Sequence, residues 1–211
     1  MNQTETIFKA VVEGSAPEAR AGVEVAMHAG IPAGEIMQNG LVAAMTEVGR
    51  RFEAGEYYVP EMLISARAMQ AGLALLKPLL VQSGSKSAGR VAIGTVKGDL
   101  HTIGKDLVAI MLEGAGFEII DLGTDVLPER FVAEVQSGNV NLISLSALLT
   151  TTMPAMATTI QALKTAGVRD KVKVMVGGAP VTEAFAAQVG ADGYGHDASA
   201  AVRLARNLVS H

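Results

Sequence analysis

The alternation of apolar and polar positions changes character near residue 85. Before it, apolar residues recur at helical spacing. Met62, Ala66, Met69, Leu73, Leu76 and Leu80 fall three or four positions apart, on one helix face. Leu41, Met45, Val48 and Phe52 form a similar stripe. This periodicity predicts four helices, at about 2–13, 17–29, 33–54 and 60–81. Pro32 and Pro60 fall at first-turn positions, where a missing N–H costs little. Short connections imply antiparallel neighbours, hence an N-terminal four-helix bundle.

After residue 90, short β-branched runs alternate with amphipathic stretches. Strands are expected at Val91–Val96, Glu118–Leu122, Leu142–Ser146, Val172–Val176 and near Gly193 and Tyr194. Helices are expected between and after them, at about 103–115, 128–137, 154–166, 182–189 and 197–209. The α/β pattern predicts a doubly wound, five-stranded parallel sheet covered on both faces, a Rossmann-like or flavodoxin-like domain. A small polar stretch from Ser83 to Gly89 separates the two patterns. The expected organisation is a helical domain over 1–83, a linker over 84–89 and an α/β domain over 90–211.

Composition removes several classes of function. The 211 residues are 49% hydrophobic and 18% charged, a globular balance. The net charge of −4 gives no footprint for nucleic acid. With no cysteine, disulfides, thiolate metal sites and cysteine nucleophiles are excluded. Met1 to Ala10 lacks the basic region and apolar block of a signal peptide, and no uninterrupted apolar run of membrane-spanning length is read. The expectation is a cytoplasmic protein with no membrane partner.

In doubly wound folds ligands bind beyond the carboxyl ends of the strands, where the winding reverses. The loop after the first strand reads Gly98-Asp99-Leu100-His101-Thr102-Ile103-Gly104-Lys105. Imidazole is a general metal ligand, and a carboxylate on its other nitrogen would fix the tautomer and raise basicity. Flanking glycines would let the backbone lie close to a bulky group. A solvated loop histidine is the other reading of the same residues. With one histidine here, a zinc site with several protein ligands is poorly supported. The loop after the third strand, Ser146-Ala147-Leu148-Leu149-Thr150-Thr151-Thr152-Met153, offers hydroxyls either to a ligand or to the helix that starts at Pro154. After the fourth strand, Gly177-Gly178 permits close approach by a flat group, or simply a tight turn. No GxGxxG, Walker-type GK[ST] loop or GxSxG elbow is present in the sequence.

Taken together these loops resemble the cobalamin-binding domain family, with its Asp-x-His-x-x-Gly, Ser-x-Leu and Gly-Gly signatures. Here they read Asp99-Leu100-His101-Thr102-Ile103-Gly104, Ser146-Ala147-Leu148 and Gly177-Gly178, in register with the strands. The run from Val48 to Met62 resembles the helical cap that precedes this domain in methionine synthase and in methyltransferase corrinoid proteins. The chain is most similar to stand-alone corrinoid proteins of methanol, methylamine and methoxy-compound methyltransferase systems.

The resemblance implies cobalamin or a related corrinoid, bound with its lower base displaced and His101 as the cobalt ligand. It implies that Asp99 holds the distal imidazole nitrogen, with Gly98, Leu100 and Thr102 completing the contact loop. Gly104 would open the helix start for the displaced tail. Ser146 and Leu148 would line the tail's slot, with Thr150 near the corrin or tail, and Gly177 and Gly178 would let the tail pass the sheet. Ala198 matches a further cofactor-contacting position. Phe52 and Val59 match cap positions over the methyl-bearing face. Thr152 stands where methionine synthase has a serine completing a relay with histidine and aspartate, and keeps the hydroxyl. The implied role is a methyl carrier, with cobalt cycling between Co(I) and methyl-Co(III). Its implied partners are a barrel-fold, substrate-specific methyltransferase, an acceptor methyltransferase and a reductive activase, with the Ser83–Gly89 stretch as a hinge. An adenosylcobalamin-dependent regulator is the alternative, although this chain has no Trp for that class's cap motif. The cobalamin domain of a carbon-skeleton mutase and a cobalamin-free flavodoxin-like binding protein are further readings.

Overall fold

A computed structural model describes residues 3–82 and 87–210. The described chain falls into two compact units, a helical one before Ser87, with which Gly114–Gly116 are grouped, and an α/β one formed by the rest. Residues 84–86 of the expected linker, and Ser83 before them, lie outside the described residues.

The helical unit contains α1 (Gln3–Val12), α2 (Ala16–His28), α3 (Ala33–Glu35), α4 (Ala43–Glu53) and α5 (Val59–Gln82). A π-helical stretch, Ile36–Val42, joins α3 to α4 without a break. Periodicity predicts one continuous α-helix here, and the wider turns are a difference. They bring Ile36, Gly40, Leu41 and Val42 inward together, and Gly40 lies against the Ile7 side chain of α1. The predicted stripe on α5 is buried at Met62, Ala66, Met69, Leu73 and Leu76, and half-buried at Leu80. The Val12 carbonyl at the end of α1 accepts from Tyr57 Oη at 3.0 Å and Ser65 Oγ at 3.2 Å, which satisfies a helix-end acceptor.

The expectation that no segment reaches membrane-spanning length is corrected by α5. Val59–Leu80 is long and apolar enough, by length and composition, to cross a membrane. Its Glu61, Arg67 and Lys77 are spaced too widely to lower the average much. The buried stripe accounts for part of the apolar content, while Val59, Ile64 and Leu79 are exposed.

The α/β unit alternates β1 (Arg90–Thr95), α6 (Ile103–Gly114), β2 (Glu118–Asp121), α7 (Pro128–Gln136), β3 (Leu142–Ser146), α8 (Pro154–Thr165), β4 (Lys173–Gly177), α9 (Glu183–Val189), β5 (Gly193–Gly195) and α10 (Ala198–Val209). All pairings are parallel, in the order β2-β1-β3-β4-β5. The expected doubly wound sheet is therefore present. Right-handed crossovers put α6 on one face and α7, α8 and α9 on the other. The second of these faces buries Phe131, Ile143, Leu145, Met156, Ile160 and Val174.

Two features of the sheet bring loops together at one edge. The winding reverses between β1 and β3, the place where doubly wound folds open a crevice. The register runs Thr95–Ser146–Gly177–Gly195, so the loops after β1, β3, β4 and β5 leave the sheet side by side.

Gly94 in β1 is fixed by packing. A Cβ there would stand 2.8 Å from Phe131 Cζ and 3.1 Å from a Val126 methyl. Gly94→Ala should cost about 1–3 kcal/mol, the usual penalty of overpacking. The pair Gly94→Ala/Phe131→Leu should cost less than the sum of its singles, because the smaller side chain frees the space. Urea unfolding of the four proteins measures this, and strict additivity would refute the packing account.

Candidate functional site

The candidate site is built around one buried carboxylate. Asp99 is completely buried, in the loop between β1 and α6. Its Oδ1 accepts from the His101 backbone N–H at 3.0 Å and pairs with His101 Nδ1 at 2.8 Å. Its Oδ2 accepts from Thr152 Oγ1 at 2.6 Å, Leu148 N–H at 2.8 Å and Leu149 N–H at 3.4 Å. The last three donors come from the loop after β3. The carboxylate thus ties together the two loops that flank the switch point.

Burying a carboxylate costs several kcal/mol, and saturation with donors is what makes it tolerable. Burial pushes the Asp99 pKa up. The hydrogen bonds from Thr152, the His101 and Leu148 peptides and the His101 ring outweigh it, and hold the carboxyl well below the usual range. An ionised Asp99 requires a proton on His101 Nδ1, which leaves the Nε2 lone pair free to bind a metal. His101 is half-exposed, with its side chain at 51% of full accessibility. Its carbonyl accepts from Thr95 Oγ1 at 2.8 Å, from a fully buried threonine at the end of β1.

The surroundings of His101 suit a large, flat, partly apolar ligand. Leu100, Ile103, Leu148 and Leu149 all expose large side chains in these same two loops and at the start of α6. A Cβ on Gly104 would meet no atom within 4 Å, so packing inside the protein does not demand glycine there. That open space is where a bulky group can lie on the helix start. Among the described residues no cluster of three or more His, Asp or Glu could hold a free metal ion. A lone imidazole fits a metal that arrives with its other ligands already in place.

The residues expected at the site come from several elements. Gly98, Asp99, Leu100, His101, Thr102 and Gly104 occupy the β1–α6 loop and the start of α6, while Ser146, Leu148, Thr150 and Thr152 occupy the end of β3 and its loop. Hydrogen bonds join Asp99, His101, Leu148 and Thr152 directly. Thr150 is exposed and Ser146 half-buried. Gly177 ends β4 and Gly178 follows it, and both lie against Ala147 of the β3 loop. The Gly178 φ of 129° and its place beside the Ala147 carbonyl leave no room for a side chain. Local packing alone thus accounts for that glycine. Ala198 is buried at the first position of α10, behind its cap Asp197. Phe52, half-buried, ends the α4 stripe, and Val59, exposed, opens α5. Both belong to the helical unit.

Sequence reasoning missed three participants besides Thr95. Lys105 is buried and donates to Asp106 Oδ1 and Asp121 Oδ2, each at 2.6 Å, while Thr102 Oγ1 donates to Asp106 Oδ2 at 2.6 Å. This ties the start of α6 to the end of β2. Burial pushes the Lys105 ammonium down, and its two carboxylates more than reverse that, so its pKa ends raised. Burial pushes Asp106 up, and Lys105 and Thr102 bring it below its ordinary value. Lys105 adjoins the glycine of the recognised motif, which was a usable signal. Asp121 and Asp106 gave none, since their shared partner is fixed by the fold.

Comparison with known proteins places this arrangement. A family described as B12 binding domain matches residues 89–203, and a second of the same description matches residues 3–77. The dimethylamine corrinoid protein of Methanosarcina barkeri is 47% identical over 177 residues, 83% of each chain. The trimethylamine corrinoid protein of the same organism is 47% identical over 87% of each chain. A chain in the crystal structure of the methanol:cobalamin methyltransferase complex MtaBC, also from Methanosarcina barkeri, superposes with a TM-score of 0.87 at 30% identity. That match covers 99% of this chain and 80% of that one.

The hydrogen bonds of the site can be tested singly. Thr152→Val should destabilise the apoprotein by about 1.5–3 kcal/mol, the worth of a hydrogen bond to a charged group. A loss below a few tenths of a kcal/mol in urea unfolding would show the bond to be unimportant. Lys105→Met should cost a comparable amount, because its two carboxylates are themselves half-exposed and regain water. The Lys105 contribution should be flat through neutral pH. It should fade as pH falls below about 3.9, the unfolded Asp value, because a lowered folded pKa contributes stability only above that. It should fade again as pH rises above about 10.4, the unfolded Lys value, through the raised folded one. A stability difference between wild type and variant that does not change with pH would refute the ion-pair account.

Proposed function

This chain belongs to the B12-binding domain family, and from that premise we propose that it is a corrinoid protein carrying a methyl group between two methyltransferases. The observation that carries the reading is the Asp99–His101 pair at the switch point, with Nδ1 committed to the carboxylate and Nε2 left free. The relatives named as dimethylamine and trimethylamine corrinoid proteins, and the likeness to a chain of a methanol:cobalamin methyltransferase complex, favour a methyl carrier over an adenosylcobalamin-dependent regulator.

When bound, the corrinoid supplies a cobalt ion that takes up the methyl group and gives it away. The chain's own residues hold and tune it. His101 Nε2 would be the cobalt ligand, and Asp99 would fix the ring's tautomer and orientation and raise its basicity. Thr152 would hold Asp99 in its ionised form. Gly98, Leu100 and Thr102 would complete the loop beneath the macrocycle, and Gly104 would leave room at the helix start. Ser146 and Leu148 would line the slot for the displaced lower base, with Thr150 near the corrin or the tail, Gly177 and Gly178 along the tail's path and Ala198 as a further cofactor contact. For Phe52 and Val59, as shields of the methyl-bearing face, the proposal rests on the family resemblance alone. The partners would be a barrel-fold methyltransferase that selects the methyl donor, an acceptor methyltransferase and a reductive activase, all cytoplasmic.

Electron paramagnetic resonance of the Co(II) form tests the ligand. After reconstitution with hydroxocobalamin, the cobalt signal should show coupling to one imidazole nitrogen. Labelling the protein's histidines with nitrogen-15 should change the multiplicity, and His101→Ala should remove it. A spectrum unaffected by either change would mean that His101 does not bind cobalt.

A further inference from the structure

We infer that Asp125, in the loop between β2 and α7, is a positioning residue that holds the cobalt-ligand loop from the side opposite Thr152. The inference rests on the reading of His101 as the cobalt ligand.

Among the described residues Asp125 alone is a non-glycine with positive φ, at 52°. Asp and Asn tolerate this left-handed region better than other side chains, but it remains strained for any residue with a Cβ. Such a conformation persists only where the surroundings over-determine it, and it clusters at functional sites. Here the chain is pinned on both sides of Asp125. The Gly123 carbonyl accepts from Thr95 N–H at 2.9 Å, and Val126 N–H donates to the Thr95 carbonyl at 3.0 Å. Val96 and Val126 add a parallel bridge beyond the end of β1.

The strained conformation aims two groups at the same dipeptide. Asp125 N–H donates to the Asp99 carbonyl at 2.9 Å, and Asp125 Oδ1 accepts from Gly98 N–H at 2.7 Å. Gly98 has a φ of 85°, and the Asp99 N–H is already turned back to the Val96 carbonyl at 3.1 Å. The Asp99 carbonyl and the Gly98 N–H are therefore held by the β2 loop, and the Asp99 N–H by Val96. The Asp99 side chain is fixed by the β3 loop. Asp99 is clamped front and back, and the His101 ring, which hangs on Asp99 Oδ1, inherits that fixed position. A side chain outside the His101 loop thus helps set where the imidazole stands. Outer supports of metal ligands act in this way.

Three substitutions separate the side-chain bond from the backbone strain. Asp125→Asn keeps an acceptor oxygen and tolerates the left-handed region. Asp125→Gly relieves the strain and removes the acceptor. Asp125→Ala removes the acceptor and keeps the strain. In the apoprotein, hydrogen exchange at the Gly98 amide should accelerate in the Gly and Ala variants and stay near wild type in the Asn variant. Hydroxocobalamin should bind about ten- to a hundred-fold more weakly to the Gly variant. Its Co(II) spectrum should show the imidazole coupling in only part of the population, and the Asn variant should restore both. Should the Ala variant fail to fold, the Gly variant carries the test. Wild-type affinity and full coupling in Asp125→Gly would overturn the inference, even with faster Gly98 exchange, because Asp125 would then serve the loop alone. Absence of imidazole coupling in the wild type would instead overturn the reading of His101, and that outcome is distinguishable from the others.

Discussion

The site depends on one electrostatic constraint, that the buried carboxylate of Asp99 must be saturated with hydrogen-bond donors. No lysine or arginine is among them. Two peptide groups and a hydroxyl of the β3 loop, with the peptide and ring of His101, provide all five. An unpaired charge at that depth would be intolerable. The loops after β1 and β3 are therefore held in one arrangement relative to each other. That arrangement engages one nitrogen of a half-exposed imidazole, so the same bonds that stabilise the charge also orient the ring.

The sheet makes this possible before any side chain acts. Parallel strands in matched register send the β1 and β3 loops off the same edge, and the reversal of winding keeps helices from filling the space between them. The rim so formed is unusually apolar for a loop region. Leu100 and Ile103 are each more than 70% exposed, at 73% and 80%. Leaving such side chains in water gives up about 1.5–3 kcal/mol each. A ligand that covers Leu100 and Ile103 recovers this energy. The open space at Gly104 points to the same occupant.

Rigidity is supplied at both ends of the ligand loop. At its start, Asp125 grips the Gly98–Asp99 backbone. At its end, Lys105 joins Asp106 and Asp121, so the first turn of α6 is tied to the edge strand β2. His101 stands between these anchors. An imidazole held between two such anchors keeps one place without reordering the chain. In metal sites such supporting contacts commonly matter nearly as much as the ligands.

Much of this was legible in the sequence by itself. The apolar periodicities marked the helices of the N-terminal half and the strands of the sheet to within a few residues, because helix and strand spacing depend on which local positions face a core. The Asp99–His101–Gly104 spacing, with Ser146 and Gly177-Gly178 on later loops, pointed to the family, because close spacing along the chain survives as proximity in space. The π-helical turns at Ile36–Val42 were not legible, since a wider turn leaves no distinct pattern over seven residues. Nor was the strain at Asp125, or the partnership of Lys105 with Asp121, or the service of Thr95 to the His101 carbonyl. The first two join residues that strand order and register bring together across β1 and β2, and the third depends on how the loop after β1 turns back. Sequence determined which groups were available and where along the chain they lay. Tertiary structure decided which donors reach Asp99, because a hydrogen bond is a matter of tenths of an ångström and direction, and no pattern along a chain encodes those.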